Sequence, residues 1–169
     1  MRQIKINSTT GSEIVGLSAV KSFARIDTSA DDAIIERLIK QARIWCENYI
    51  SRDIVAKNRT YYVPKTSGIF DIPFGPISSI ESVTIDGTAF TGYTSVGLDN
   101  ETIDLDGYAE KVKVTYITSG LSDDFLTQVI LQLVATLYEN RSDYVVGSEV
   151  NLVPTETKKV LASYKNMFV

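Results

Sequence analysis

Between residues 31 and 51 the apolar positions Ile34, Ile35, Leu38, Ile39, Ala42, Trp45, Cys46, Tyr49 and Ile50 recur at three- and four-residue spacing. That spacing draws one stripe along a helix, and Glu36, Arg37, Lys40, Arg43 and Glu47 fall on the opposite face. Thr28 and Ser29 precede Asp31 and Asp32, so capping oxygens and acids gather where the helix dipole favours them. A shorter helix over 18–26 is expected ahead of it, with Ser18 as cap, Leu17 as a hydrophobic staple and Ala19, Val20 and Phe23 facing inward.

The pattern then changes to alternation. Arg59–Val63, Ile69–Ile72, Ile80–Ile85, Tyr93–Val96, Thr102–Leu105 and Lys111–Ile117 read as strands, and Asp86-Gly87 closes a tight hairpin. In the last of these, Val112, Val114 and Tyr116 share one face while Lys111, Lys113 and Thr115 share the other. The helical period returns after Ser119-Gly120. Ser122 is the expected cap, Asp123 and Asp124 lie in the first turn, and Phe125, Leu126, Val129, Ile130, Leu133, Val134, Leu137 and Tyr138 form a wide stripe over 122–141. Tyr144–Leu152 has no period and reads as a loop, after which Pro154 opens a last helix over 154–166 with Val160, Leu161 and Tyr164.

The order predicts an α+β chain with a mainly helical core, four helices of which the second and third are long, and an inserted small antiparallel β-sheet over about 58–118. Residues 1–16 form an N-terminal extension and 17–169 a single domain.

Chemistry changes this picture mainly by subtraction. The chain has no histidine, the commonest general base and metal ligand, and no phosphate-cradling glycine motif. Cys46 is a single cysteine without a base nearby in sequence and reads as core, with no cofactor expected. Seventeen basic against 21 acidic residues leave a net charge of -4, which argues against tight non-specific DNA binding. Between Asp86 and Glu110 there are six acids and no lysine or arginine. Asp99, Glu101, Asp104 and Asp106 are thus an acidic edge that could hold a hard cation, although the later ligands of a calcium loop do not follow. Arg37, Lys40 and Arg43 read as a wet helix face, with a phosphate-binding stripe as the alternative. No stretch approaches the ~20 apolar residues of a membrane span and no signal peptide is visible, so a cytoplasmic, non-membrane chain is expected.

Taken together, Leu17-Ser18-Ala19-Val20-Lys21, Arg25-Ile26-Asp27 and Trp45-Cys46-Glu47-Asn48-Tyr49-Ile50-Ser51-Arg52 resemble the opening of phage head-tail connector (adaptor) proteins. The likeness continues through Ile72-Pro73, Pro76-Ile77-Ser78-Ser79-Ile80, Val112–Gly120 and Leu137-Tyr138-Glu139-Asn140-Arg141, covering about 16–165. It rests on the order and spacing of capping, core and turn residues.

The resemblance implies a structural, non-enzymatic virion subunit, present in the host cytoplasm before assembly. Such subunits form a homo-oligomeric ring of about twelve copies below the portal protein, with DNA passing through unbound to any specific site, and meet the next neck or tail-completion protein. It also implies that the C-terminal Tyr164, Met167, Phe168 and Val169 reach the portal. Tyr144, Val145 and Val146 become candidates for an interface loop, and Asp99, Glu101, Asp104 and Asp106 for an acidic lumen or outer edge. Competing readings are another phage neck or tail-completion protein, a monomeric bacterial ligand-binding module, or an enzyme using Glu101 and Asp104 as a carboxylate pair.

Overall fold

The computed structural model describes residues 1–140 and 155–165. The chain divides into two compact units, each assembled from two stretches of sequence: Met1–Ser12 with Ser51–Leu121, and Glu13–Ile50 with Ser122 onward.

The first unit is all β. Strands β1 (Gln3–Thr9), β2 (Lys57–Thr66), β8 (Ala109–Thr118), β4 (Ile77–Ile85) and β5 (Thr88–Ala89) form a five-stranded antiparallel sheet in that order. A second sheet of three strands has the order β3 (Ile69–Asp71), β7 (Thr102–Asp104), β6 (Thr94–Val96). Tyr61, Val63, Val83, Val112, Val114 and Tyr116 of the large sheet pack with Phe70, Ile72, Ile103 and Leu105 from β3, β7 and the residues after them, all nearly excluded from solvent. Inner residues alternate with outer ones along β2 and β8, as a two-layer β core requires.

Asp86 and Gly87 both adopt positive φ between β4 and β5, the geometry of the tightest hairpin turn. Gly120 (φ 77°) follows β8, where an added Cβ would come within 2.7 Å of the Ile54 carbonyl oxygen. That same oxygen accepts the Leu121 amide at 3.0 Å. Gly120→Val combines a forced left-handed backbone with a backbone clash, so thermal denaturation is expected to show a loss of about 2 kcal/mol or more.

Among the described residues the second unit is helical: α1 (Leu17–Ala24), α2 (Asp32–Ile50), α3 (Asp124–Glu139) and α4 (Thr155–Ala162). Ile35, Ile39, Ala42, Cys46 and Ile50 of α2 and Leu126, Val129, Ile130, Leu133 and Val134 of α3 are the buried stripes, and α2 packs on α3. The Tyr138 hydroxyl donates to Asp31 Oδ2 at 2.6 Å, fixing the end of α3 to the start of α2. Caps fall beside the expected residues. Gly16, not Ser18, precedes α1, and Asp123, not Ser122, caps α3 by accepting the Phe125 amide at 2.7 Å.

The expected mainly helical core with a small inserted sheet is therefore corrected. Strand residues nearly match helical ones, and the sheets enclose a core of their own. The β content was underestimated for two physical reasons. The inward positions at the start of β2 are Lys57 and Arg59, which hide its alternation, and β1 is exposed along its whole length, so it carries no burial pattern at all.

Candidate assembly surfaces

Each unit contains a buried ionic cluster. In the β unit, Asp53 is fully buried and accepts from Lys57 Nζ (2.8 Å), Arg59 Nε (2.8 Å), an Arg59 terminal nitrogen (2.6 Å) and Thr118 Oγ1 (2.9 Å). Arg59 also lies 4.0 Å above the Phe74 ring. Burial alone would raise the Asp53 pKa, but the hydrogen bonds and charges of Arg59 and Lys57 outweigh it and hold the carboxyl below its ordinary range.

In the helical unit, Arg43 donates to Glu47 (2.7 Å) and Glu13 (2.8 Å) and is almost wholly buried with Glu47. Burial would lower its pKa; the two carboxylates reverse that and raise it. The expected wet face of Arg37, Lys40 and Arg43 is thus corrected at its last member, since Arg37 and Lys40 are exposed whereas Arg43 is interior. A charge pair one helical turn apart looks the same in sequence whether solvated or buried.

Cys46 is fully buried on α2, and burial together with the Glu47 charge pushes its thiol up to about 12. It is a protonated core residue at neutral pH.

The four acids of the expected edge do not converge. Asp99 and Glu101 lie in the β6–β7 turn, where Glu101 Oε2 accepts the Asp99 amide at 2.8 Å and Asp99 pairs with Arg52 at 3.1 Å. Asp104 ends β7 and accepts the Asp106 amide at 2.9 Å, shaping the β7–β8 turn. Both carboxylates of the conceivable glycosidase pair are thus engaged in turns. Cations from outside the stretch also reach its ends: Lys111 pairs with Asp86 at 2.8 Å, and Lys65 with Glu110 at 3.1 Å. No group of three metal-ligating side chains gathers among the described residues.

Tyr164 follows α4 and hydrogen-bonds Asp123, lowering that carboxyl's pKa. Met167, Phe168, Val169, Tyr144, Val145 and Val146 lie outside the described residues. No helix among the described residues is long and apolar enough to cross a membrane.

Two outer faces of the β unit stand out. On the large sheet, Lys5, Tyr62, Lys111 and Lys113 border an open groove of about 700 Å³ floored by Thr60. Asn7 at its end donates to Asn58 (2.7 Å) and Thr60 (2.9 Å). On the small sheet, the register sets Ile69, Asp104 and Thr94 in one cross-strand row and Asp71, Thr102 and Val96 in the next. Ile69 is 61% and Val96 42% exposed, and Leu98 in the adjoining turn is fully exposed. Neither face was assembled from sequence, because its members come from separate strands; the local signals were the outward pair Lys111 and Lys113 and, for the small sheet, Asp104 within the acidic stretch.

The chain belongs to the family of phage gp6-like head-tail connector proteins, which its residues 15–114 match. That family is structural, and it is the one the capping and core residues pointed to.

In fold the chain is similar to several solved chains, three of which come from gene transfer agent particles. One, described as the neck of an empty GTA particle computed with C6 symmetry, shares 14% identity at a TM-score of 0.78, covering 99% of this chain and 97% of that one. A second, from the virion of a native gene transfer agent particle, shares 13% at 0.73, covering 98% and 96%. The third, from the neck of a native GTA particle computed with C12 symmetry, shares 12% at 0.60, covering 96% and 97%. No curated protein matches in sequence.

Proposed function

We propose that this chain is the head-tail connector subunit of a tailed phage or prophage particle, forming a ring below the portal that extends the DNA channel and joins capsid to tail. The observation that carries the reading is end-to-end agreement in fold with a neck chain, at a TM-score of 0.78 over 99% of this chain, within a family of connectors. Neck structures of that fold computed with sixfold and twelvefold symmetry support a closed ring, for which about twelve copies is the working number. The role is mechanical and its place is the virion neck, reached from the host cytoplasm. A chain without histidine, whose one thiol is buried and protonated, suits a part that makes and breaks no bond.

DNA passes such a ring without a sequence-specific contact, in keeping with the net charge of -4. The neighbours along the axis are the portal on one side and the next neck or tail-completion protein on the other. Native mass spectrometry of the protein alone and with a portal ring is expected to give a closed oligomer or a complex matching the portal's symmetry. A strict monomer that ignores the portal would overturn the reading.

The C-terminal residues are assigned to portal docking. Tyr164 is held by Asp123, and the Lys165 ammonium lies 5.7 Å from the centre of the Tyr49 ring, so the chain is anchored to the helical unit up to the residues assigned to the partner. Deleting Lys165–Val169 removes one exposed cation–ring contact, that of Lys165 with Tyr49, and is expected to spare folding while abolishing capture by portal rings; retained capture would remove the assignment. Tyr144, Val145 and Val146 are assigned to the contact between neighbouring subunits, and replacing all three by serine should weaken ring formation in the same assay.

A further inference from the structure

A closed ring is built from heterologous contacts, in which one patch of each subunit meets a different patch of the next. Such a subunit needs two surfaces that complement each other without being self-complementary. The β unit carries such a pair. Its two sheets pack inner face to inner face around the shared core, so their outer faces look in opposite directions.

The outer face of the large sheet is polar and carries three lysines at its groove, of which Lys111 is paired with Asp86, a carboxylate that also lines the groove. Lys5 lies opposite Thr60 in the β1–β2 ladder, and Lys113 lies between Tyr62 of β2 and Thr84 of β4. Lys5 and Lys113 have no ion-pair partner among the described residues, and the groove they border is open to solvent. The outer face of the small sheet is acidic and apolar: Asp71 and Asp104 stand among the exposed Ile69 and Val96, with no lysine or arginine in either cross-strand row. The unpaired lysines of one face and the aspartates of the other are opposite in charge, and side chains of the small sheet's outer face, not the sheet itself, are what the groove can receive.

We propose that the groove bordered by Lys5 and Lys113 is the docking site for a second copy of this chain, which inserts side chains from the outer face of its small sheet, Asp71 and Asp104 meeting the two lysines and Ile69 and Val96 covered between them. The inference rests on the ring reading above and specifies its interface. It gives Asp104 a task different from lining a lumen. Charge complementarity sets the register and partner choice, while the covered isoleucine and valine supply apolar contact.

The test is a charge-reversal matrix read by native mass spectrometry and sedimentation, alone and on portal rings, with circular dichroism to confirm folding. Lys5 and Lys113 are exposed, whereas Asp104 accepts the Asp106 amide and Asp71 the Thr102 hydroxyl, so Asp71→Asn with Asp104→Asn, which keeps both acceptors and removes the charge, is the folded control for the aspartate reversal and is expected to weaken association as well. Lys5→Glu with Lys113→Glu, and separately Asp71→Lys with Asp104→Lys, are each expected to weaken subunit association by about tenfold or more. Carrying all four substitutions in one chain should restore the ring, and rising salt should weaken the wild-type ring and the fourfold variant alike.

Rings that form normally from either double variant overturn the proposal, and so does a fourfold variant that remains dissociated. Loss with the lysine reversal only means that the groove takes another partner, which also overturns it. Failure of the unsubstituted protein to oligomerise under any of these conditions refutes the ring reading itself, an outcome distinct from all of these.

Discussion

Replacing Asp53 by alanine is expected to reduce stability by about 3–5 kcal/mol, enough to leave a marginally stable chain largely unfolded near its ordinary melting range. The carboxylate is fully buried and answers four donor contacts from Lys57, Arg59 and Thr118. Its removal takes away the carboxylate that Lys57 and Arg59 share and opens the junction between the start of β2 and the end of β8. Asp53→Asn keeps the shape but not the charge, and should fall between wild type and alanine in denaturant titrations. The pH dependence has a definite sign. The Asp53 pKa is depressed in the folded state, so its contribution is fully present above the unfolded carboxyl value of about 4 and is lost as pH falls through the lower folded value. Acid unfolding should therefore begin below about pH 4 and be blunted in Asp53→Asn.

The second large effect is expected at Arg43. Arg43→Ala leaves Glu47 buried beside a vacated guanidinium site and should cost about 3 kcal/mol or more. Arg43→Met combined with Glu47→Leu removes both charges and keeps the volume, so its melting temperature is expected to lie near that of the wild type, far above the single variant. Equal destabilisation by single and double changes would show that packing rather than charge decides the site. Glu13 pairs with Arg43 from the segment before α1 and loses that partner in both cases; being partly exposed, it can turn to water.

Legibility from sequence followed how a residue's burial is encoded. The α2 and α3 stripes could be read because their apolar residues alone define the inward face, and Asp86-Gly87 because few dipeptides take two positive φ values. Arg43, Glu47, Asp53, Lys57 and Arg59 could not, since each is charged yet interior, and its partner is fixed by tertiary packing. β1 was hidden for the opposite reason. It belongs to the sheet through backbone pairing with β2, a bond that leaves no trace in side-chain hydropathy. The two outer faces of the β unit lay in the blind spot between these cases: Lys5 and Lys113 join only across two ladders, and the four acids, close in sequence, are distributed over a strand and two turns.

The interleaving of the two units also sets a timetable for synthesis. The last strand of the β unit ends at Thr118, before α3 begins at Asp124, so the ribosome delivers every strand while half of the helical unit is still missing. Until α3 emerges, Ile35, Ile39, Ala42, Cys46 and Ile50 have been translated without the helix they pack against. The nascent chain thus carries a sticky amphipathic segment next to a finished β unit for the time it takes to add α3, and it is in that interval that the cell's holding chaperones would find their substrate.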